Sequence, residues 1–235
     1  MQKKLHNMEK IIGIGNTIVD ILARLEGNKM PCQKQLPKGQ KTLNDASKVQ
    51  ISDITPALFE DVTMVHIEGT LAKNHDLVEA ICQTAMEQSV QISLDLADKN
   101  IVAADLPFFQ HLVQDCVDVV IANEEEAKAF TGKEDALDAL RAIAAYKCLA
   151  VVKLGSKGAC TRLGAEEVML KAQDVSVVDT TAAGIFFDAG FLYALDRGAS
   201  LKDCLSLGTC LAEHIVGVAG TQLSDEVWQE IRKKC

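Results

Sequence analysis

A chain of 235 residues, 48% of them apolar, is long enough to bury the core of one ordinary α/β domain. Its formal net charge of −9, from 33 acidic and 24 basic side chains, excludes the clustered Lys and Arg of a nucleic-acid footprint. No apolar run approaches the roughly 20 residues of a membrane span, which excludes a membrane partner of that kind.

The opening "MQKKLHNMEK" is followed by no signal-peptide core, so a cytoplasmic location is expected. Cysteines 32, 82, 116, 148, 160, 204, 210 and 235 form no C-x-x-C pair and no cluster with His. Most lie in apolar patterns, as reduced thiols acting as small hydrophobes do.

In chain order, strands are expected in "KIIGIGNTIVDILARL", "VTMVHIEG", "VQISLDLA", "CVDVVIAN" and "CLAVVKLG", each rich in Val, Ile and Leu. The stretch "EGNKMPCQKQLPKGQKTLNDASKVQ" between the first two is polar, holds two prolines and reads as a loop or flap. Helices are expected over 75–88, 103–115, 124–130 and 136–146. Asn74 and Asn123 stand as N-caps, and "EEE" in a first turn suits the macrodipole. A small β pattern follows ("GACTRLG", "EEVMLKA"), then helices over 182–196 and 201–216, and a last one from Asp225. Non-alternating strands with helices between them imply a three-layer α/β/α domain with a mostly parallel central sheet, the whole of 1–235 forming one domain. Ligands of such folds sit beyond the carboxyl ends of the strands. That rule singles out Glu68-Gly69, Asp95, Asn123, Gly155 and Asp179.

"GIGN" at 13–16 is not a dinucleotide fingerprint. Ile18 stands at the third glycine position, and no helix opens there. The turn Ala182-Ala183-Gly184 is a better candidate for chemistry: its small residues let backbone N–H groups converge on an anion at a helix start. Gly155-Ser156-Lys157-Gly158 is a second small turn after a strand, suited to lying against a nucleotide.

With these stretches, "HIEGTLAKNHDL", "IANEEEAKAFTG", "AVVKLGSKGA", "DTTAAGIFFDAGFLYALDRG" and "LGTCLAEHIVGVAGTQL" make the chain resemble the ribokinase (PfkB) family of carbohydrate and nucleoside kinases. The resemblance implies a ribokinase-like fold with a small β lid. It also implies transfer of the ATP γ-phosphoryl, with Mg²⁺, to a hydroxymethyl group of a sugar or nucleoside. By position, Asp20 would hold substrate hydroxyls. Asn123 and Glu126 would match the family's N-x-x-E motif and organise Mg²⁺ and phosphates through water. Lys153, Gly155 and Gly158 would face the nucleotide, and Ala182, Ala183 and Gly184 would form the anion hole. Asp179 and Thr181 would lie near a monovalent-cation loop that could take K⁺. The segment 212–220, with Ala212, His214 and Gly220, would wall the adenine.

The resemblance also implies two departures. The family pattern D-T-x-G-A-G-D ends in the Asp that takes the proton from the attacking hydroxyl, and here that position is Ile185. A glycine-rich substrate motif and most of the lid are missing, so a truncated lid is expected, with 27–50 as its remnant. Asp188 lies one turn farther into the helix, where its carboxylate should fall short of the hydroxyl. Two functions follow: an ATP-dependent sugar or nucleoside kinase, or a catalytically inactive nucleotide-binding or scaffold protein that keeps the fold. Elsewhere, Asp95 and Asp98 could approach phosphate or sugar, while His66 and His75 read as structural. An exposed sheet edge leaves a homodimer open.

Overall fold

The computed structural model describes residues 10–14, 21–22, 49–220 and 222–234. Each apolar run forms a strand because β-branched side chains pack well on a pleated surface. In chain order these are β1 (Ile11–Ile14), β2 (Ile21–Leu22), β3 (Met64–Glu68), β4 (Gln91–Asp95), β5 (Val119–Asn123), β6 (Leu149–Lys153), β7 (Ala159–Leu163) and β8 (Glu166–Leu170). Their order in the sheet is β2-β1-β3-β4-β5-β6-β7-β8. β1 through β6, apart from β2, run parallel, and β2, β7 and β8 pair antiparallel.

The helices are α1 (His75–Glu87), α2 (Lys99–Ala104), α3 (Leu106–Asp115), α4 (Glu124–Thr131), α5 (Ala136–Ala144), α6 (Ala183–Asp196), α7 (Leu201–Ile215) and α8 (Asp225–Lys234). Strand side chains alternate between faces, and the alternation divides the core in two. Ile12, Ile14, Val65, Ile67, Val120 and Val152 pack with residues of α1 to α5. Their chain neighbours Ile11, Met64, Val119, Ile121 and Val151 pack on the other face with Phe187, Phe191 and Leu205 of α6 and α7. The result is the expected three-layer α/β/α arrangement. No helix among the described residues is long and apolar enough to cross a membrane.

Two sequence expectations need correction. "KIIGIGNTIVDILARL" is not one strand: β1 and β2 lie side by side, with Ile11 opposite Leu22. The helix expected over 103–115 is two helices. Asp98 caps α2 by accepting the N–H groups of Asn100 and Ile101, and the chain breaks at Asp105 before α3. The break has a local cause, because Pro107 lacks the N–H that would continue α2, whereas in the first turn of a new helix that N–H is not needed. The lid remnant over 27–50, apart from Val49 and Gln50, and Asp20 lie outside the described residues.

Register aligns the strand ends that matter. Glu68 lies opposite Asp95, and Asn123 opposite Lys153. Four polar residues therefore share one carboxyl edge of an apolar sheet.

Candidate active site

Beyond that edge is a cavity of about 710 Å³, within the size range of small-molecule sites. Of the expected residues, Asn123, Glu126, Lys153, Gly155, Gly158, Thr181, Ala183, Gly184, Ile185 and Ala212 line it. Of the positions singled out by the strand-end rule, Glu68, Asp95, Asn123 and Gly155 do so as well.

Asn123 is both the last residue of β5 and the N-cap of α4. Its side chain accepts the Glu126 N–H at 2.9 Å, while its own N–H and its Nδ2 donate to the two oxygens of Glu126 at 2.7 and 2.6 Å. This reciprocal capping box satisfies two otherwise orphaned helix amides and locks Glu126 in a buried position. Burial, helped by the nearby Asp95 charge, raises Glu126 to about 7, although the Asn123 amide and Lys153 favour its anion.

The floor of the cavity is an ionic cluster. Lys153 Nζ donates to Asp95 Oδ2 at 3.1 Å and to the two oxygens of Asp188 at 3.1 and 3.2 Å. Burial opposes the lysine charge, but Asp188, Asp95 and Glu126 hold its pKa above the usual value. Burial is the strongest influence on Asp95 and would raise it, but the Lys153 ammonium, hydrogen bonding with Asp188, His66 and the Ala97 amide together bring it down to about 2. Asp188 goes the other way, raised by burial and by the Asp95 charge despite Lys153. His66 also faces the cavity, with Nδ1 3.1 Å from Ser93 Oγ. Burial, only partly offset by Asp95 and reinforced by Lys153, lowers it to about 4, so it is neutral at physiological pH.

The wall is closed by α6 and α7. Helix α6 opens at Ala183 without any side-chain cap from Ala182; the Ala183 N–H donates to the Thr180 carbonyl at 3.1 Å, and the amides of Gly184 and Ile185 are left for another acceptor. Next in the turn, Ile185 is 46% exposed. The hydroxyl of Thr209 on α7 lines the cavity, is buried and has no protein hydrogen-bond partner among the described residues. A buried hydroxyl in that state suits a ligand polar atom.

The two turn glycines differ in why they are there. At Gly158, φ is +102° and an added Cβ would come within 2.0 Å of the Leu170 carbonyl oxygen, so folding alone demands glycine. At Gly184, an added Cβ would meet nothing closer than Lys153 Nζ at 3.5 Å. Packing does not require a glycine there, and glycine keeps open the space beside the lysine. Gly158→Ala is accordingly expected to cost about 2 kcal/mol or more, lowering Tm by about 5 °C. Gly184→Ala should melt no lower than the parent, and a thermal melt of both variants checks the contrast.

Other expected residues fall elsewhere. Asp179 is not a lining residue. Its Oδ1 accepts the Thr181 N–H at 2.9 Å and its hydroxyl at 2.7 Å, and its Oδ2 accepts the Gly220 N–H at 3.4 Å. It thus ties the turn before α6 to the loop after α7. Ala182 is buried in a small cluster with Leu211 and Ile215. His214 does not line the cavity either, because its Nδ1 bonds the Cys210 carbonyl at 2.7 Å; the wall at that point is Thr209, Ala212, Glu213 and Val216. Asp98 is spent on capping α2 and does not face the cavity. His75 lies at the surface, stacked on Phe108 and bonded to Asp105.

Asp188 is the main site residue whose partner sequence reasoning missed. The sequence places its carboxylate short of the attacking hydroxyl and assigns it no other role; the structure brings it to the cavity, bonded to Lys153. The signal was a lone acid in the apolar run "IFFDAGFLY" and a lone lysine ending "LAVVK". Each was a buried charge requiring a partner.

The sequence model of the pfkB family carbohydrate kinases matches residues 39–228. The chain belongs to that family. An uncharacterized sugar kinase from Archaeoglobus fulgidus is 25% identical over 180 residues, covering 72% of each chain. A 1-phosphofructokinase from Haloferax volcanii is 32% identical over 141 residues, covering 57% of this chain and 43% of its own. Among solved structures, the adenosine kinase from Sinorhizobium meliloti aligns with a TM-score of 0.74 and 29% identity, over 80% of this pfkB chain and 59% of its own. The chain thus spans between two fifths and three fifths of the last two relatives.

Proposed function

We propose that the chain binds ATP with magnesium in this cavity, phosphates toward Ala183 and Gly184, and takes a sugar or nucleoside as acceptor, with phosphoryl transfer severely slowed. Membership of a carbohydrate kinase family supports the donor and the reaction class. The relatives named sugar kinase, phosphofructokinase and adenosine kinase support an acceptor bearing a primary hydroxyl. The observation that carries the reading is Ile185 beside the uncapped start of α6, where the family pattern has its proton-accepting Asp. An alkyl side chain accepts no proton.

No three acidic, His or Cys groups converge as a metal site among the described residues, and both Glu126 oxygens are engaged by Asn123. Magnesium would therefore arrive on the nucleotide phosphates, with Glu126 acting through water. When bound, it supplies charge neutralisation to the transferring phosphoryl group. The chain's own residues position and shield: the α6 amides orient the phosphates, Lys153 offers a cation, and Thr209 and Ala212 wall the base. Asp179 and Thr181 would shape a K⁺ loop through their carbonyls, since the Asp179 carboxylate is already closed by hydrogen-bond donors. Asp20 would hold acceptor hydroxyls.

The test is to titrate MgATP calorimetrically and to assay ADP release over a panel of sugars and nucleosides. Binding with only trace turnover is the expected result. Rapid turnover with any acceptor would refute the role given to Ile185, and no MgATP binding would leave a fold without its nucleotide.

A further inference from the structure

An ammonium has three N–H donors, and those of Lys153 face two carboxylates: both oxygens of Asp188 and one of Asp95. The same ammonium stands beside the head of α6, within 3.5 Å of where a Gly184 methyl would be. Asp188 is four residues after Gly184 on one helix. Helical side chains lean back toward the preceding turn, which carries its carboxylate to the lysine. It is buried and lines the cavity. A phosphoryl group docked at Ala183 and Gly184 would meet a cation already occupied by a carboxylate from the same helix.

We infer that the Asp188 carboxyl is a resident acceptor of Lys153 that phosphate must displace, and that it sets the affinity of the site for phosphorylated ligands. The inference rests on the nucleotide reading above. It assigns different tasks to the two carboxylates. Asp95 stays with Lys153 and keeps it charged, whereas Asp188 holds the donors that a phosphoryl oxygen would use. Replacing Asp188 leaves the ammonium facing the Asp95 carboxylate, so no buried charge is orphaned.

The test is calorimetric titration of MgADP into the parent protein, Asp188→Asn and Asp188→Ser, with adenosine as a ligand lacking phosphate. Tightening of MgADP by about tenfold in the variants, with adenosine affinity unchanged, is expected. Equal or weaker MgADP binding by a folded variant overturns the inference, as does tightening of both ligands alike, which would indicate a general change in the cavity. Failure of both variants to fold also overturns it, because Asp188 would then be a structural partner of Lys153. If MgADP binds to none of the three proteins, the nucleotide reading itself fails and takes the inference with it.

Discussion

Ile185→Asp is expected to raise phosphoryl transfer from MgATP by about 10²- to 10⁴-fold, the usual contribution of a positioned general base. The substitution should be well tolerated. Ile185 is 46% exposed, so little packing is lost, and a carboxylate in the first turn of α6 interacts favourably with the helix dipole. It would stand next to Gly184, at the end of the cavity where the proposed phosphates lie, with the proton of the acceptor hydroxyl passing to the new oxygen. Ile185→Asn is the control: it has similar polarity and no ability to take the proton, and it should gain nothing. Steady-state ADP release with each acceptor measures both variants. A gain in the Asn variant equal to that in the Asp variant would mean that polarity at the mouth, and not a base, was missing. No gain in either would point to the acceptor side of the site.

Lys153→Met should destabilise the fold by about 3–5 kcal/mol at neutral pH, the usual cost of stranding a buried charge. Methionine has nearly the length of lysine and fills its channel, so the loss is chiefly electrostatic. The pH dependence distinguishes charge from packing. In the parent, Asp95 is held down to about 2. Its stabilisation is present above the ordinary carboxylate value and is lost as pH falls through that value toward 2. Lys153 is held above its usual value, so its contribution is complete at every pH below that value and is lost only as pH rises through the folded one. Without the lysine, Asp95 and Asp188 are both buried carboxyls with raised pKa. The folded state then takes up protons before the unfolded state does, and acidification stabilises it. The deficit measured by urea unfolding should therefore shrink between pH 7.5 and pH 5. An equal deficit at both values would mean that the lysine stem, not its charge, holds the floor of the cavity.

The sequence carried most of the architecture because strands and caps are local. Val, Ile and Leu in short runs mark buried strands wherever they occur, and β3 through β8 fall within the runs expected. Asn74 and Asn123 cap their helices as their position before a polar first turn implies. Pro107 was equally legible, but the apolar pattern around it concealed the break between α2 and α3. The strand-end rule reached Glu68, Asp95, Asn123 and Gly155 with no knowledge of the sheet order, since each simply follows a buried run.

The cavity itself depends on which strands become neighbours. Lys153 and Asp95 lie 58 residues apart, and Lys153 and Asp188 lie 35 apart. No periodicity links them. They meet because β4, β5 and β6 lie side by side in parallel, ending at a common edge, while α6 crosses the opposite face from the helix that carries Glu126. His214 shows the same limit in reverse: its segment borders the cavity, but helix rotation turned Thr209, Ala212 and Glu213 to the cavity and His214 to its own backbone. The sequence by itself therefore determined the elements, their layers and the small-residue turn, because these follow from residue type over a few positions. Only the tertiary structure decided which buried charges became partners, because a charge buried on one strand is neutralised by whatever the sheet order brings beside it.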